Sequence, residues 1–311
     1  MPTRRCLRQM THLDPPILPF TGERFTPECV REIWYEHMHR YAYAATFCAG
    51  RRVLDAACGE GYGSALLARA GADVLGVDLS AITITHAQQR YADLAGLRFA
   101  QADVTALDQF PDASFDVIVS FETLEHVHAQ ERMLAGFRRM LAPGGCLLIS
   151  SPDKRTYSDL RDYRNEFHVR ELYRDELEAL LRAEFPALRI LAQKLLFQSL
   201  LWDPDSAPTT ARAATLYRDG VLSAQPDYAA LYFLAICADS EAALPPPGAM
   251  HLFGDADESV YRHYDDEIRR HIAAGHRLIA QEREIEDLRA RLARAEALLR
   301  EHAPDQGRNH P

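Results

Sequence analysis

Cysteine is scarce in this sequence and is not arranged for any of its usual structural roles. Six cysteines occur among 311 residues, without a CxxC pair and without a nearby histidine at metal-ligand spacing. This excludes a disulfide framework and a cysteine-based zinc site, and it predicts reduced thiols in a cytoplasmic protein. No metal site is predicted. No apolar run approaches the roughly 18 residues that a membrane-spanning helix needs, so no membrane span is predicted.

Basic residues are also fewer than acidic ones. The chain has 35 Lys and Arg against 45 Asp and Glu, a formal net charge of −10. An acidic surface argues against broad binding of nucleic acid or of anionic membranes, since both need a basic field. The first residues are basic, but Pro15, Pro16 and Pro19 interrupt their short apolar stretch. The segment therefore matches a signal peptide poorly. Apolar residues make up 47% of the chain, enough to bury a core, so disorder throughout is excluded.

Short apolar runs alternate with helical patterns over most of the chain. We expect an irregular segment at 1–30, a domain at 31–247 that begins with a helix at 31–48, and a C-terminal helix at 257–303. Polar loops are predicted at 153–170 and 203–228. The predicted strands are 51–58, 73–80, 97–104, the start of 115–127, 146–152, 188–202 and 228–240, and the predicted helices between them are 64–71, 81–94, 129–141 and 171–183. This alternation predicts βαβ units and an α/β fold with a doubly wound, mostly parallel, Rossmann-like seven-stranded sheet.

The C-terminal helix has a heptad pattern of about three repeats. Two interpretations remain open: a short coiled coil, which would make a homo-oligomer or bind a partner protein, and one amphipathic helix that packs on its own domain. The two seam positions hold Leu278, Ile285, Leu292 and Leu299, and Ala274, Gln281, Leu288 and Ala295.

A glycine-rich turn follows the first predicted strand. Gly59, Gly61 and Gly63 lie where that strand turns into its helix, and glycine there permits a tight turn and the close approach of a ligand. The helix that follows offers free N–H groups to an anion. Asp78 ends the second strand, where an acid accepts hydrogen bonds from ribose hydroxyls. The pattern predicts a cofactor that contains adenosine.

The turn fits a dinucleotide poorly. A pyrophosphate site has a third glycine where this sequence has Ser64, and Asp55 before the turn suits a cofactor with a positive amino group. An NAD-dependent oxidoreductase remains the alternative, although no second nucleotide-binding half follows residue 150.

The stretch DAACGEGYG at 55–63 resembles the first motif of class I S-adenosylmethionine-dependent methyltransferases. The resemblance continues through Asp78, FDVIVSFETLEHV at 115–127 and the LAPGG turn at 141–145. It implies S-adenosylmethionine as cofactor, an antiparallel last strand beside the fifth, and an N-terminal segment that covers the cofactor. The cofactor-binding residues that it implies are Arg40, Tyr41, Asp55, Ala57, Gly59, Gly61, Asp78, Leu79, Ala102, Asp103, Val104, Phe121 and Glu122.

Two clusters follow the strands whose carboxyl ends form the ligand-binding edge. Glu125 and His126 after the fourth strand are candidate catalytic residues, because a histidine of near-neutral pKa can take a proton from the methyl acceptor. They have an alternative role in capping the next helix. After the fifth strand, we expect Tyr157, Asn165 and His168 to bind substrate, the alternative being that this segment only orders the approach to a helix.

The segments GERF at 22–25, EHMHRYAYA at 36–44 and NEFHVREL at 165–172 resemble those of bacterial methyltransferases of surface-glycan assembly. This narrower resemblance implies O- or N-methylation of a sugar or glycan intermediate. A small-metabolite acceptor, such as a quinone precursor, is the second interpretation. A non-catalytic assembly protein is the third.

Overall fold

The structure, a computed structural model, describes residues 32–205, 211–248 and 250–301. The chain divides into two compact units, Met1–Phe253 and Gly254–Pro311. The predicted irregular segment at 1–30 and the last two residues of the predicted tail helix lie outside the described residues. The helices are α1 (Glu32–Cys48), α2 (Tyr62–Arg69), α3 (Ala81–Arg90), α4 (Gln130–Met140), α5 (Lys154–Tyr157), α6 (Arg174–Glu184) and α7 (Ser259–Glu301). The strands are β1 (Arg52–Ala56), β2 (Asp73–Asp78), β3 (Leu97–Gln101), β4 (Phe115–Ser120), β5 (Leu141–Pro152), β6 (Ala187–Gln193), β7 (Thr215–Leu216), β8 (Leu222–Ser223) and β9 (Tyr232–Ala238).

Seven strands form one sheet in the order β3-β2-β1-β4-β5-β9-β6. The pairs from β3 to β5 are parallel, whereas β9 runs antiparallel to both β5 and β6. The predicted doubly wound, mostly parallel seven-stranded sheet is confirmed, including the antiparallel strand beside the fifth. The strand order reverses between β1 and β4, and open α/β sheets bind their ligands beside the carboxyl ends of the strands at such a point.

The central strands are apolar on both faces because helices cover both sides of the sheet. In β1, Leu54 and Ala56 contribute to one core cluster and Val53 to the other. The first cluster includes Phe137 of α4, and the second includes Leu67 of α2. Each such buried large side chain contributes about 1.5–3 kcal/mol to folding. The two clusters hold the strand ends, and therefore the crevice, in place.

Three predicted segments differ in the structure. The loop predicted at 153–170 contains α5 and a 3-10 turn at Asp159–Arg161. The sixth strand ends at Gln193, because its pairing with β9 ends there, and not at residue 202. The loop predicted at 203–228 contains the small hairpin of β7 and β8.

The second unit contains α7, a helix of 43 residues. All of the residues at its predicted seam except Ala274 are exposed, among them Ile285 and Leu292. Among the described residues, no helix is both long and apolar enough to cross a membrane. The four cysteines that the structure describes are free thiols and are buried.

Candidate functional site

The glycine turn has a backbone that only particular residues can form. Gly59 and Gly61 have φ angles of 55° and 88°, in the left-handed region. A Cβ on Gly61 would lie 2.5 Å from the ring of Phe99, and one on Gly63 would overlap the ring of Tyr41. A Cβ on Gly59 would meet none of the described atoms within 4 Å, so this glycine faces open space. Ala57 also has a positive φ, 63°, which marks the end of β1 as locally strained.

Asp55 lies completely buried beneath α1. Its carboxylate accepts hydrogen bonds from the hydroxyl of Tyr41 at 3.1 Å and from that of Ser64 at 2.6 Å. Burial raises the pKa of Asp55 to about 6; the two hydroxyl donors lower it and the nearby Asp78 carboxylate raises it. Ser64, which stands where a dinucleotide site has its third glycine, therefore holds Asp55, the acid that precedes the turn.

Asp78 joins the first two strand ends. Its Oδ2 accepts a hydrogen bond from the backbone N–H of Gly59 at 3.1 Å, and its Oδ1 accepts one from Ser80 at 2.9 Å. Each carboxylate oxygen retains a second lone pair, so the group can still accept hydrogen bonds from ribose hydroxyls. Leu79 beside it is 67% exposed, a position from which it can cover a flat ring.

The third strand end continues this edge. The backbone N–H of Ala102 donates to the carbonyl of Asp78 at 3.0 Å. Asp103 is exposed and accepts hydrogen bonds from the N–H and hydroxyl of Thr105, which lower the pKa of Asp103. Val104 packs against the core beside it. The predicted ribose and adenine residues therefore lie along one edge of the sheet.

Arg40 lies on α1 and is 1% exposed. Its Nε donates to Gln193 at 2.8 Å, one of its terminal nitrogens lies 3.5 Å from Glu122, and its guanidinium lies over the ring of Tyr232. Neither terminal nitrogen has a hydrogen-bond partner among the described residues. Such a guanidinium is suited to a carboxylate ligand, which would supply two acceptors.

The turn after β4 carries the next predicted residues. Phe121 packs edge-to-face on Tyr41, with ring centroids 5.0 Å apart. Glu122 has a φ of 50°, and Ser150 of β5 donates its hydroxyl hydrogen to the Glu122 carboxylate at 2.7 Å. Glu122 is therefore fixed between Ser150 and Arg40 at the carboxyl ends of β4 and β5.

The two predicted acceptor clusters form one site. The rings of His126 and His168 meet edge-to-face at 4.9 Å, and Tyr157 stacks on His168 at 5.5 Å. The side-chain nitrogen of Asn165 lies 3.0 Å from Nε2 of His168. Glu125 is 1% exposed, and burial, followed by the Glu122 charge, raises its pKa well above the usual range. The sequence predicted these residues as two separate groups, and the fold places them together.

Several buried polar residues of the site were not predicted from the sequence. Glu60 lies between two glycines of the turn, is fully buried, and pairs with His86 and Arg90 of α3 at 3.3 Å. Glu36 of α1 is also buried, and burial raises its pKa to about 7, with the Arg40 charge opposing the rise. The position of Glu60 between two glycines of GEGYG could have pointed to a role in the turn, but its partners come from another helix. Gln193 and Tyr232 are paired across β6 and β9, and both contact Arg40, so their place in the site depends on tertiary packing.

The fold is that of a Rossmann-like domain, and the residues predicted to bind an adenosine-containing cofactor lie along one edge of its sheet. In comparisons with known proteins, residues 54–149 match the family model described as a methyltransferase domain. A protein of Mycolicibacterium smegmatis, named as a probable S-adenosylmethionine-dependent methyltransferase, is 40% identical over 54% of this chain and 65% of its own length. One of Mycobacterium tuberculosis with the same class name is 39% identical over 54% of this chain and 61% of its own length. A ubiquinone biosynthesis O-methyltransferase of Methylococcus capsulatus is 36% identical over 36% of this chain and 48% of its own length.

Residues 54–149 are therefore similar to a methyltransferase domain, and two of these relatives are named as S-adenosylmethionine-dependent methyltransferases. The match spans less than two thirds of each of these relatives. The residues present fit the cofactor on two observations. Arg40 has two buried nitrogens that lack hydrogen-bond acceptors among the described residues, and the space beside Gly59 is open to a ligand.

Proposed function

We propose that this chain transfers a methyl group from S-adenosylmethionine to a hydroxyl or amine of a sugar or glycan intermediate. The observation that carries the proposal is a polar cleft of about 520 Å³ beside the predicted acceptor cluster. The cleft shares Asn165 and His168 with that cluster, and Lys154, Asp159 and Tyr163 also line it. Hydroxyl-rich ligands bind through such a mixture of charged, amide and aromatic side chains.

The cofactor residues take distinct roles in this proposal. Asp78 binds the ribose hydroxyls, Asp103 the adenine amino group, and Arg40 the carboxylate, while Asp55 provides negative charge near the ammonium group. Gly59 and Gly61, with Ala57, let the backbone approach the ligand. Tyr41 and Phe121 pack beside the methionine portion, and Leu79, Ala102 and Val104 flank the adenine.

When bound, S-adenosylmethionine supplies an electrophilic methyl group on a positively charged sulfur. The chain must align the acceptor in line with that bond and receive a proton from it. Nδ1 of His126 lies 3.0 Å from the carbonyl oxygen of Phe167, which can only accept, so Nδ1 carries the hydrogen and Nε2 the lone pair. We assign Nε2 as the proton acceptor. The new bond from the acceptor oxygen to the methyl carbon would replace the carbon–sulfur bond, whose electron pair would stay on sulfur.

A small phenolic acceptor is the second candidate, and one observation favours it. A larger cavity of about 970 Å³ lies beside α1 and β6, with an apolar wall that includes Tyr43, Leu195, Leu196 and Phe253. One relative is named for ubiquinone biosynthesis. A quinone precursor carries an apolar tail that such a cavity can bury.

Mass spectrometry of products separates the two candidates. The full chain is incubated with S-adenosylmethionine and, in parallel, with sugar nucleotides, glycan fragments and catechol-type phenols. We expect methylated sugar products, a several-fold loss of their formation in Asn165→Ala, and little change in Leu196→Trp, which fills the apolar cavity. Methylation of the phenols alone, lost in Leu196→Trp and kept in Asn165→Ala, would contradict the sugar assignment.

A further inference from the structure

The acceptor cluster also has the composition of a metal centre. Glu125, His126 and His168 each offer one ligand atom, and these three atoms lie within 4.8 Å of one another. Backbone hydrogen bonds hold the two parts together, because the N–H groups of Val169 and Arg170 both donate to the carbonyl of Glu125, at 2.8 and 3.1 Å. The grouping therefore follows from the packing of the loop after α5 against the turn after β4.

The carboxylate of Glu125 is the first independent sign of a ligand. It is 1% exposed, and neither of its oxygens has a hydrogen-bond partner among the residues that the structure describes. The nearest imidazole nitrogen, Nε2 of His126, lies 4.0 Å away. Buried carboxyl oxygens without hydrogen-bond partners are costly, and a metal cation that binds the ionised carboxylate would give them a partner.

The imidazoles are oriented as in metal sites. Phe167 accepts from Nδ1 of His126, and the carboxylate of Glu171 accepts from Nδ1 of His168, which leaves the lone pair of each ring on Nε2. A metal-ligating histidine characteristically donates its other N–H to a carboxylate or a backbone carbonyl. Both of these partner types are present here.

We propose that Glu125, His126 and His168 form a binding site for one divalent first-row transition-metal cation, such as Mn²⁺, Co²⁺ or Zn²⁺. Two imidazole nitrogens and one carboxylate oxygen favour these cations, since Mg²⁺ and Ca²⁺ prefer oxygen ligands. Binding requires the amide of Asn165 to release Nε2 of His168. The sequence does not predict this metal site, because Glu125 and His126 are distant from His168 in the chain and no cysteine takes part.

The position of the site suggests its use, which rests on the proposed function. A cation bound there would lie beside the place expected for the acceptor hydroxyl, and its charge would favour loss of the hydroxyl proton. In the cation-bound form, Nε2 of His126 is a ligand, so the proton leaves to water. The acceptor oxygen then attacks the methyl carbon as before, and the electron pair of the broken bond goes to sulfur.

Direct metal binding tests the site. The full chain is treated with a chelator, dialysed, and titrated with Mn²⁺ while the electron paramagnetic resonance signal of free Mn²⁺ is recorded; Co²⁺ absorption reports the ligand field. We expect one cation per chain. We expect at least tenfold weaker binding in Glu125→Gln and His168→Ala, and about 10- to 100-fold weaker binding in Glu171→Gln, which removes the support of His168.

His128→Ala is the matched control, because His128 is exposed on the same turn and lies outside the cluster. Circular dichroism shows that each variant is folded, and calorimetry with S-adenosylmethionine reports the proposed function separately. Absence of cation binding at millimolar Mn²⁺, Co²⁺ and Zn²⁺, or equal binding by the wild type, Glu125→Gln and His168→Ala, would overturn the site. Cofactor binding without cation binding contradicts only the metal site, and cation binding without cofactor binding contradicts only the proposed function.

Discussion

At the scale of single residues, the site depends on groups that serve structure and ligand together. Asp78 accepts hydrogen bonds from the glycine turn and from the start of α3, and the same carboxylate is assigned to the ribose. Glu122 and Ala57 hold strained backbone angles at two strand ends. Such strain is typical of ligand sites, because it persists only where the surrounding structure enforces it.

Asp78→Ala should weaken binding of S-adenosylmethionine by about 1–3 kcal/mol, through loss of charge-assisted hydrogen bonds. Calorimetric titration measures the change, which corresponds to about 5- to 150-fold in the dissociation constant. Asp108→Ala is the control, since the side chain of Asp108 is 90% exposed. An unchanged dissociation constant in Asp78→Ala would remove the ribose assignment.

Two helical glycines give opposite predictions. Gly63→Ala should destabilise the fold by about 2 kcal/mol or more, because the added Cβ overlaps the ring of Tyr41. Gly136→Ala in α4 meets Leu107 only at ordinary contact distance, 3.7 Å, and should stabilise by up to about 1 kcal/mol through helix propensity. Urea denaturation compares the two. Equal effects would show that Tyr41 does not pack on Gly63.

We expect Asp55 to make cofactor affinity depend on pH. Its pKa of about 6 leaves the carboxyl increasingly neutral below that pH, and only the ionised form attracts the ammonium group. Affinity should therefore rise with pH from 5 to 7, by up to about tenfold per unit, and level off above that range. Calorimetry over this range should show a flat profile for Asp55→Asn. A flat profile in the wild type would contradict the proposed charge effect.

The raised pKa values of Asp55 and Glu36 have the opposite effect on the stability of the ligand-free protein, which should fall as pH rises. The folded state holds protons on Asp55 and Glu36 that the unfolded state loses at lower pH. Their stabilising contribution is present below the unfolded pKa values, near 4, and is lost as pH rises through about 6 to 7.

At the scale of elements, α7 is the unusual feature. It exposes apolar side chains along its predicted seam, with Ile285 47% and Leu292 60% exposed. A helix with such a stripe usually gains stability by covering it. We predict that the tail pairs with a second copy of α7, the coiled-coil interpretation of the heptads.

The double variant Ile285→Glu with Leu292→Glu should therefore reduce the mass of the particle in light scattering to that of one chain. Glu284→Gln, an exposed change on the same helix, should leave the mass unchanged. A wild-type chain that has the mass of one chain at all accessible concentrations would exclude this pairing.

At the scale of the whole molecule, much of the fold could be predicted from the sequence. The buried parallel strands are short apolar runs bounded by glycines, and their alternation with amphipathic helices determines the sheet. The end of the sixth strand at Gln193 could not be predicted, because the apolar residues continue and only pairing with β9 ends the strand. The hairpin of β7 and β8 is too short to leave a periodic signal.

The candidate site likewise divides into residues that the sequence predicts and contacts that only the folded chain shows. Residues of the turn and strand ends are local in sequence and were predicted, including Gly59 and Asp78. Their arrangement with buried partners depends on tertiary packing, as in the pairing of Glu60 with α3 and of Arg40 with Gln193. The meeting of His126 and His168 likewise depends on how the loop after α5 folds back.

Cofactor binding by the intact chain is the most direct test of the central claim, that the crevice beside the glycine turn holds S-adenosylmethionine. Calorimetric titration should show one molecule bound per chain, with affinity reduced in Asp78→Ala and competition by the demethylated product. Absence of binding at millimolar cofactor, or displacement by NAD in place of that product, would contradict the account.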